Sequence, residues 1–208
     1  MHLPHSPACD NNQGPMFAVL AQALADRRHV LEIGSGTGQH SVYFAPRLPH
    51  LVWQTSDLAQ HHAGIAAWHA HQPAPNLRAP LLFDAAHSDW PTGTDAQAGP
   101  IDAVFTSNTL HIMGWPQVQR LLQLVGTHLP MGGRLVVYGP FNYGGTYTSD
   151  SNRAFDAWLQ ARDPASGIRD QEAVVAQAAL HGLQLQADHA MPANNRTLVW
   201  EKTSPNPR

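Results

Sequence analysis

The stretch Val30-Leu31-Glu32-Ile33-Gly34-Ser35-Gly36-Thr37-Gly38-Gln39-His40 constrains the fold more than any other part of the chain. It reads as a buried strand that stops at a glycine-rich turn and runs directly into a helix. Glycines at three alternate positions let the backbone turn tightly and leave room for a ligand to touch it. The N–H groups that open the next helix favour an acceptor-rich or anionic group.

The rest of the chain can be placed by counting from this turn. Residues 1–13 are polar and read as irregular. Pro15 suits a first helical turn, and Met16, Val19, Leu20, Ala23 and Leu24 then give a helical stripe ending near Asp26. Leu51–Thr55 reads as a second strand ending at Ser56-Asp57, followed by a helix over 58–71. Pro80–Phe83 reads as a third strand ending at Asp84. A proline-, glycine- and alanine-rich linker, 91–100, leads to a fourth strand, Ile101–Thr106. Helix 116–128 shows an apolar face in Val118, Leu121, Leu122 and Val125, and Arg134–Tyr138 forms the fifth strand.

This alternation implies a parallel sheet with helices on both faces. The end of the chain differs. A helix over 170–181 stops at Gly182, Leu183, Leu185 and Ala187 alternate as in a half-exposed strand, and Thr197–Glu201 follows after a short connection. Strands joined so briefly pair antiparallel, since a parallel crossover needs a dozen residues or more. The expected architecture is therefore α/β and Rossmann-like, a single domain over 1–208 with 1–28 as an N-terminal segment and helix.

Composition excludes several classes. The apolar share of 43% argues against disorder, and twelve basic residues scattered through a chain of net charge −3 leave no nucleic-acid or acidic-membrane footprint. Cys9 is the one cysteine, which rules out a disulfide framework and a cysteine-built zinc site. No basic region followed by an apolar run opens the chain, so a soluble, cytoplasmic protein is expected. Fourteen histidines suggest metal at first sight. His61, His62, His69 and His71, however, have no i, i+3 or i, i+4 pair, and His62 and His69 lie roughly 10 Å apart along a helix. A solvated face is the better reading, with no metal.

Ligands in open α/β sheets sit beyond the carboxyl ends of the strands. Gly34–His40, Asp57, Asp84 and Ser107–His111 all fall there. Asp57 follows Gly38 by nineteen residues and can accept both hydroxyls of a ribose; a plain helix N-cap is its structural alternative. Asp84 can accept from an adenine amino group, or simply make a turn. A dinucleotide fingerprint requires glycine where this chain has Gln39, and Glu32 would repel a pyrophosphate while suiting an ammonium group. The turn thus favours S-adenosylmethionine over a nicotinamide dinucleotide.

The run Leu31–His40, with Asp57 and Asp84, resembles the class I S-adenosylmethionine-dependent methyltransferases. Ser6-Pro7-Ala8, Asn12, Gly34–His40, Asn108–Met113, Gly139-Pro140-Phe141, Thr148–Asn152 and Gly167-Ile168-Arg169-Asp170 narrow the likeness. They resemble the family of methyltransferase-like protein 26, domain of unknown function 938, over residues 6–202. The resemblance implies a seven-stranded sheet with an antiparallel last strand and a bound S-adenosylmethionine. Its cofactor set comprises Asn12, Glu32, Gly34, Ser35, Gly36, Gly38, Gln39, His40, Asp57, Leu58, Asp84 and Asn108. One departure stands out: an arginine usually precedes the asparagine matching Asn12, and here Asn11 stands in its place.

Methyl transfer from a sulfonium is an in-line displacement that asks the enzyme to align donor and acceptor and, where needed, remove a proton. Asn108 and His111 follow the fourth strand at a three-residue spacing. His111 is a candidate general base, or else a histidine bonded to backbone beneath the cofactor. Gly139–Thr148 holds three aromatics among glycines and suits a substrate loop, with Tyr143 near the sulfonium. Ser149–Asn152 reads as a helix start, with Phe155, Trp158 and Leu159 as the buried face. Residues 139–168 would then form a lid. Arg169-Asp170 would close the site from below, or else make a salt link and an N-cap.

The expected function is methyl transfer to a small-molecule oxygen, nitrogen or sulfur, with S-adenosylhomocysteine as product, no nucleic-acid or membrane partner, and a homodimer left open. Two alternatives remain. One is a non-catalytic S-adenosylmethionine-binding module acting through a protein partner; the other is a NAD(P)-dependent reductase.

Overall fold

A computed structural model describes residues 3–91 and 99–204. The chain divides into two compact units, Met1–Thr106 and Ser107–Arg208. The strands are mostly parallel, with antiparallel pairing at the end of the chain. The expected linker 91–100 lies largely outside the described residues.

The first unit opens with α1 (Pro7–Ala23), which starts earlier than the expected helix at Pro15. Pro7 occupies the first turn, where a missing N–H costs nothing, whereas Pro15 lies inside the helix. Asn12, Met16 and Leu20 form its buried stripe at four-residue spacing, so a polar residue starts the apolar face. β1 (His29–Ile33) is buried along its full length and runs parallel to β2 (Val52–Asp57) on one side and β4 (Ala103–Ser107) on the other. α2 (Gln39–Phe44) follows the glycine turn, and α3 (Ala59–His71) follows β2. β3 (Leu77–Leu82) pairs with β2 three residues earlier than expected. Pro80 is tolerated there because β3 is an edge strand. Phe44, Trp53 and Phe105 meet with ring centroids 5.6–5.9 Å apart and make an aromatic core beneath the turn.

The second unit contains α4 (Trp115–His128), whose buried Val118, Leu121, Leu122 and Val125 match the expected face. β5 (Arg134–Asn142) runs four residues further than expected. The reason is pairing on both sides: Gly139 and Pro140 face Arg196 and Asn195 of β8 (Asn195–Lys202), while Phe141 and Asn142 face β6 (Arg169–Asp170). The expected loop therefore begins only at Tyr143. β7 (Leu183–Met191) and β8 pair antiparallel, as their short connection requires. α5 (Asp150–Arg162) and α6 (Gln171–Ala179) complete the unit.

α5 departs from the expected face. Ser149 caps it, accepting from the Asn152 N–H at 3.1 Å. Its buried residues, however, are Asn152, Asp156 and Leu159, while Trp158 is 50% exposed. Trp158 stacks on Phe155 (centroids 5.8 Å, interplanar 17°) and carries the Arg162 guanidinium at 4.6 Å. Hydrogen bonds, not apolar area, decide which side of this helix turns inward.

Candidate functional site

The first unit carries the turn. Gly34, Gly36 and Gly38 all have positive φ (+71°, +58° and +91°), and the Gly34 and Ser35 N–H groups donate to Ser56 O at 3.0 and 3.1 Å. A Cβ at Gly36 would meet nothing within 4 Å, whereas one at Gly38 would lie 2.9 Å from the Ile65 Cα. The space over Gly36 is open; the back of Gly38 is filled by α3.

Asp57 sits at the tip of β2. Its carboxylate accepts from Gly36 N–H at 2.6 Å and from Leu58 N–H at 2.7 Å. The N-cap of α3 is Leu58 rather than Asp57. Two amide donors leave a carboxylate with further lone-pair capacity, so it is oriented without being saturated. Glu32 is fully buried, accepts from the Trp53 Nε1–H at 2.8 Å, and is pushed up to about 7 by burial, with the Asp57 charge adding to the shift. The indole and Ser35 oppose that rise without cancelling it.

Asn12, Gln39 and His40 spend their polar atoms on one another's elements. Gln39 accepts from the Ser6 N–H (2.6 Å) and the Thr37 hydroxyl (3.0 Å) and donates to Asp10 (3.1 Å). His40 Nε2 lies 2.8 Å from Asn12 Oδ1, and burial lowers the imidazole to about 4. These residues fasten α1 to the turn. Asp84 closes a local turn, accepting from Ala86 N–H at 2.8 Å and meeting His87 Nδ1 at 2.9 Å.

In the second unit Asn108 adopts a left-handed conformation, φ +58°, and its N–H donates to Tyr138 O at 2.9 Å. Strain of this kind in a non-glycine residue is common at functional sites. A Cβ on Gly139 would lie 3.7 Å from His111 Nδ1 and 3.8 Å from Asn108 Oδ1, so the two side chains converge on one glycine. His111 is buried, its ring meets Phe155 edge-on at 5.3 Å, and it is lowered to about 4 by burial and then by Arg169. Tyr143 belongs to a different cluster. Its hydroxyl donates to Asp188 at 2.8 Å, Arg196 bonds the same carboxylate at 2.7 Å, and the phenol is pushed up by burial and by Asp188.

Trp53, the donor to Glu32, is the member of this cluster that spacing does not point to. A buried acid needs a donor, and the only signal was an indole on the neighbouring strand. Of the expected salt link and N-cap at Arg169-Asp170, the N-cap stands, since Asp170 occupies that position at the start of α6, while Arg169 bonds backbone carbonyls. Among the described residues no group of three or more His, Cys, Asp or Glu could hold a metal ion, and no helix is long and apolar enough to cross a membrane.

A family model described as "Protein of unknown function (DUF938)" matches residues 3–202. The chain belongs to this family. The DUF938 chain is also similar in fold to solved methyltransferases. An O-methyltransferase family 2 protein from Planctomyces limnophilus, in complex with apigenin, superposes with a TM-score of 0.78 at 20% identity, covering 93% of this chain and 57% of that one. An O-methyltransferase family protein from Burkholderia thailandensis gives 0.75 at 17%, covering 92% and 56%. PigF with SAH gives 0.77 at 16%, covering 93% and 56%. The DUF938 chain thus has the Rossmann-like class I methyltransferase fold, and it spans a little over half the length of these neighbours.

Proposed function

We propose that this DUF938 chain is an S-adenosylmethionine-dependent methyltransferase acting on a small-molecule oxygen, nitrogen or sulfur acceptor in the cytoplasm. One observation carries the reading: the Asp57 carboxylate is held by amides at the tip of β2, beside the open face of Gly36, with a buried Glu32 on the paired strand β1. An amide-oriented carboxylate suits a ribose diol, and a buried carboxyl suits an ammonium. Glu32, Gly34, Ser35, Gly36, Asp57 and Leu58 would hold the cofactor directly, with Asp84 toward the adenine. Asn12, Gly38, Gln39 and His40 would keep the turn in shape. The cofactor supplies an electrophilic methyl on sulfur. The apigenin complex of one structural neighbour supports an acceptor of that size.

In the second unit, His111 and Asn108 would orient the acceptor and receive its proton. A His111 lowered to about 4 is neutral throughout the physiological range. Its contribution should therefore persist as pH falls through 6.5 and disappear only as pH falls toward about 4. Initial rates measured from pH 5 to 8, with methyl-labelled S-adenosylmethionine and a panel of phenols, amines and thiols, check this. A drop centred near 6.5 contradicts it.

The same weak basicity favours one further reading, a binding module that performs no transfer. Parent protein that binds S-adenosylhomocysteine but transfers no label to any acceptor would select it. The cofactor assignment is tested separately. Asp57→Ala should weaken S-adenosylhomocysteine binding at least about tenfold by calorimetry, since two charge-assisted bonds of about 1.5–3 kcal/mol each are at stake. Unchanged affinity, or thermal stabilisation by NAD(H) alone, overturns the reading.

A further inference from the structure

The sequence GIRD at 167–170 finds no place in the cofactor geometry, yet its hydrogen bonds follow one pattern. Arg169 Nε donates to Leu110 O at 3.1 Å, Gly167 N–H to His111 O at 2.9 Å and Ser166 Oγ–H to Ile112 O at 2.7 Å, while Arg169 Nη2 donates to Met113 O. Four successive carbonyls, 110–113, are thus each met by a donor from residues 166–169. Backbone carbonyls outside a helix or sheet ladder need partners from elsewhere, and here one short strap supplies a donor to each of the four. We propose that Arg169 is a positioning residue whose fork, with the 166–167 donors, clamps the segment bearing Asn108 and His111.

Several observations distinguish this clamp from ordinary loop packing. The guanidinium serves divergent acceptors at once, because Nη2 also donates to Ala165 O at 2.8 Å. A planar fork can span such acceptors, and an ammonium cannot. The strap is itself anchored. Asp156, 4% exposed, accepts from Ile168 N–H (2.6 Å), from the Tyr147 hydroxyl (2.6 Å) and from Gln160 Nε2 (2.8 Å). Gly167 has φ +156°, and a Cβ there would lie 3.0 Å from Asp156 Oδ1, so the seam admits no side chain. α5 thereby holds the strap through Asp156 and meets the His111 ring through Phe155.

The clamp fixes the backbone of His111 while the Arg169 charge acts on its imidazole. Its part in methyl transfer rests on the reading above; the clamp itself does not.

The test compares the parent protein with Arg169→Lys and Arg169→Gln, using amide exchange at Gly167, titration of the His111 ring by NMR, and S-adenosylhomocysteine calorimetry. Losing the fork should speed Gly167 exchange at least about tenfold in both variants, while cofactor affinity stays within about twofold. Removing the cation in Arg169→Gln should raise the His111 midpoint, and Arg169→Lys should leave it low. A residue that merely stabilised the second unit would not move that midpoint selectively. Unchanged Gly167 exchange in Arg169→Lys, or an unmoved His111 midpoint in Arg169→Gln, overturns the proposal. If Arg169→Gln does not fold, the exchange result in Arg169→Lys decides it. A parent that binds no S-adenosylhomocysteine removes the methyltransferase reading and leaves the exchange and titration results readable.

Discussion

Gly38→Ala is expected to lower stability by about 3 kcal/mol and to abolish S-adenosylhomocysteine binding. Two effects act together. The residue holds φ +91° and ψ −2°, where an L side chain is strained, and its Cβ would press to 2.9 Å on the Ile65 Cα. Backbone cannot give way as a flexible side-chain tip does, so either α3 or the turn must shift. A shift of the turn carries the Gly36 N–H away from Asp57, which unlocks the carboxylate assigned to the ribose. Chemical denaturation reads the first effect and calorimetry the second. Gly36→Ala is the control, since its strain is similar but its Cβ meets open space. Equal stability losses in both variants would show that the contact with α3 contributes nothing.

Glu32→Gln should act in opposite directions on stability and on binding. Glu32 is raised from 4.5 to about 7 in the folded protein, so the folded state holds a proton that the unfolded state has released. Below pH 4.5 both states are protonated and the group has no effect. Between 4.5 and 7 stability falls as pH rises, and above 7 the full cost remains, on the order of 3 kcal/mol. Glutamine keeps an acceptor for the Trp53 indole and carries no charge to bury. At pH 8 the variant should therefore be the more stable protein, with the advantage vanishing near pH 4.5. Binding of S-adenosylhomocysteine at pH 8 should weaken, because the carboxylate proposed to face the ammonium is gone. Parallel stability curves for the two proteins from pH 4.5 to 8 would contradict the buried-acid account.

The glycine turn, the strand–helix alternation and the antiparallel hairpin at the end were legible because each is written locally. Positive φ demands glycine, apolar period separates strand from helix, and a short connection forbids a parallel crossover. Other features depend on partners far away in the chain. Pro15 looked like a helix start because its neighbours are apolar; the helix begins at Pro7 because Ser6, Asp10 and Asn12 bond to Gln39 and His40. Trp158 fits an apolar period yet stands half exposed, since Asp156 has three donors waiting on the inner side. Periodicity counts apolar residues and cannot see a buried carboxylate. Position in a loop points Tyr143 toward the pocket, whereas its hydroxyl bonds Asp188, a partner forty-five residues away that no local pattern announces. The two carboxylates of the cofactor reading were legible as positions, while their electrostatic difference, a buried Glu32 beside an amide-held Asp57, was not.

The fastening of α1 to the glycine turn has a consequence for how this sequence can drift. Gln39 serves as acceptor for the Ser6 amide and the Thr37 hydroxyl and as donor to Asp10. A change at position 39 strands three partners at once, and a change at position 10 strands two, Gln39 and the exposed His5. Histories that first loosen position 10, whose second partner is exposed, therefore cost less than those that begin at position 39. Among descendants of this chain, positions 10 and 39 should vary as a pair, with position 10 the one that moves first.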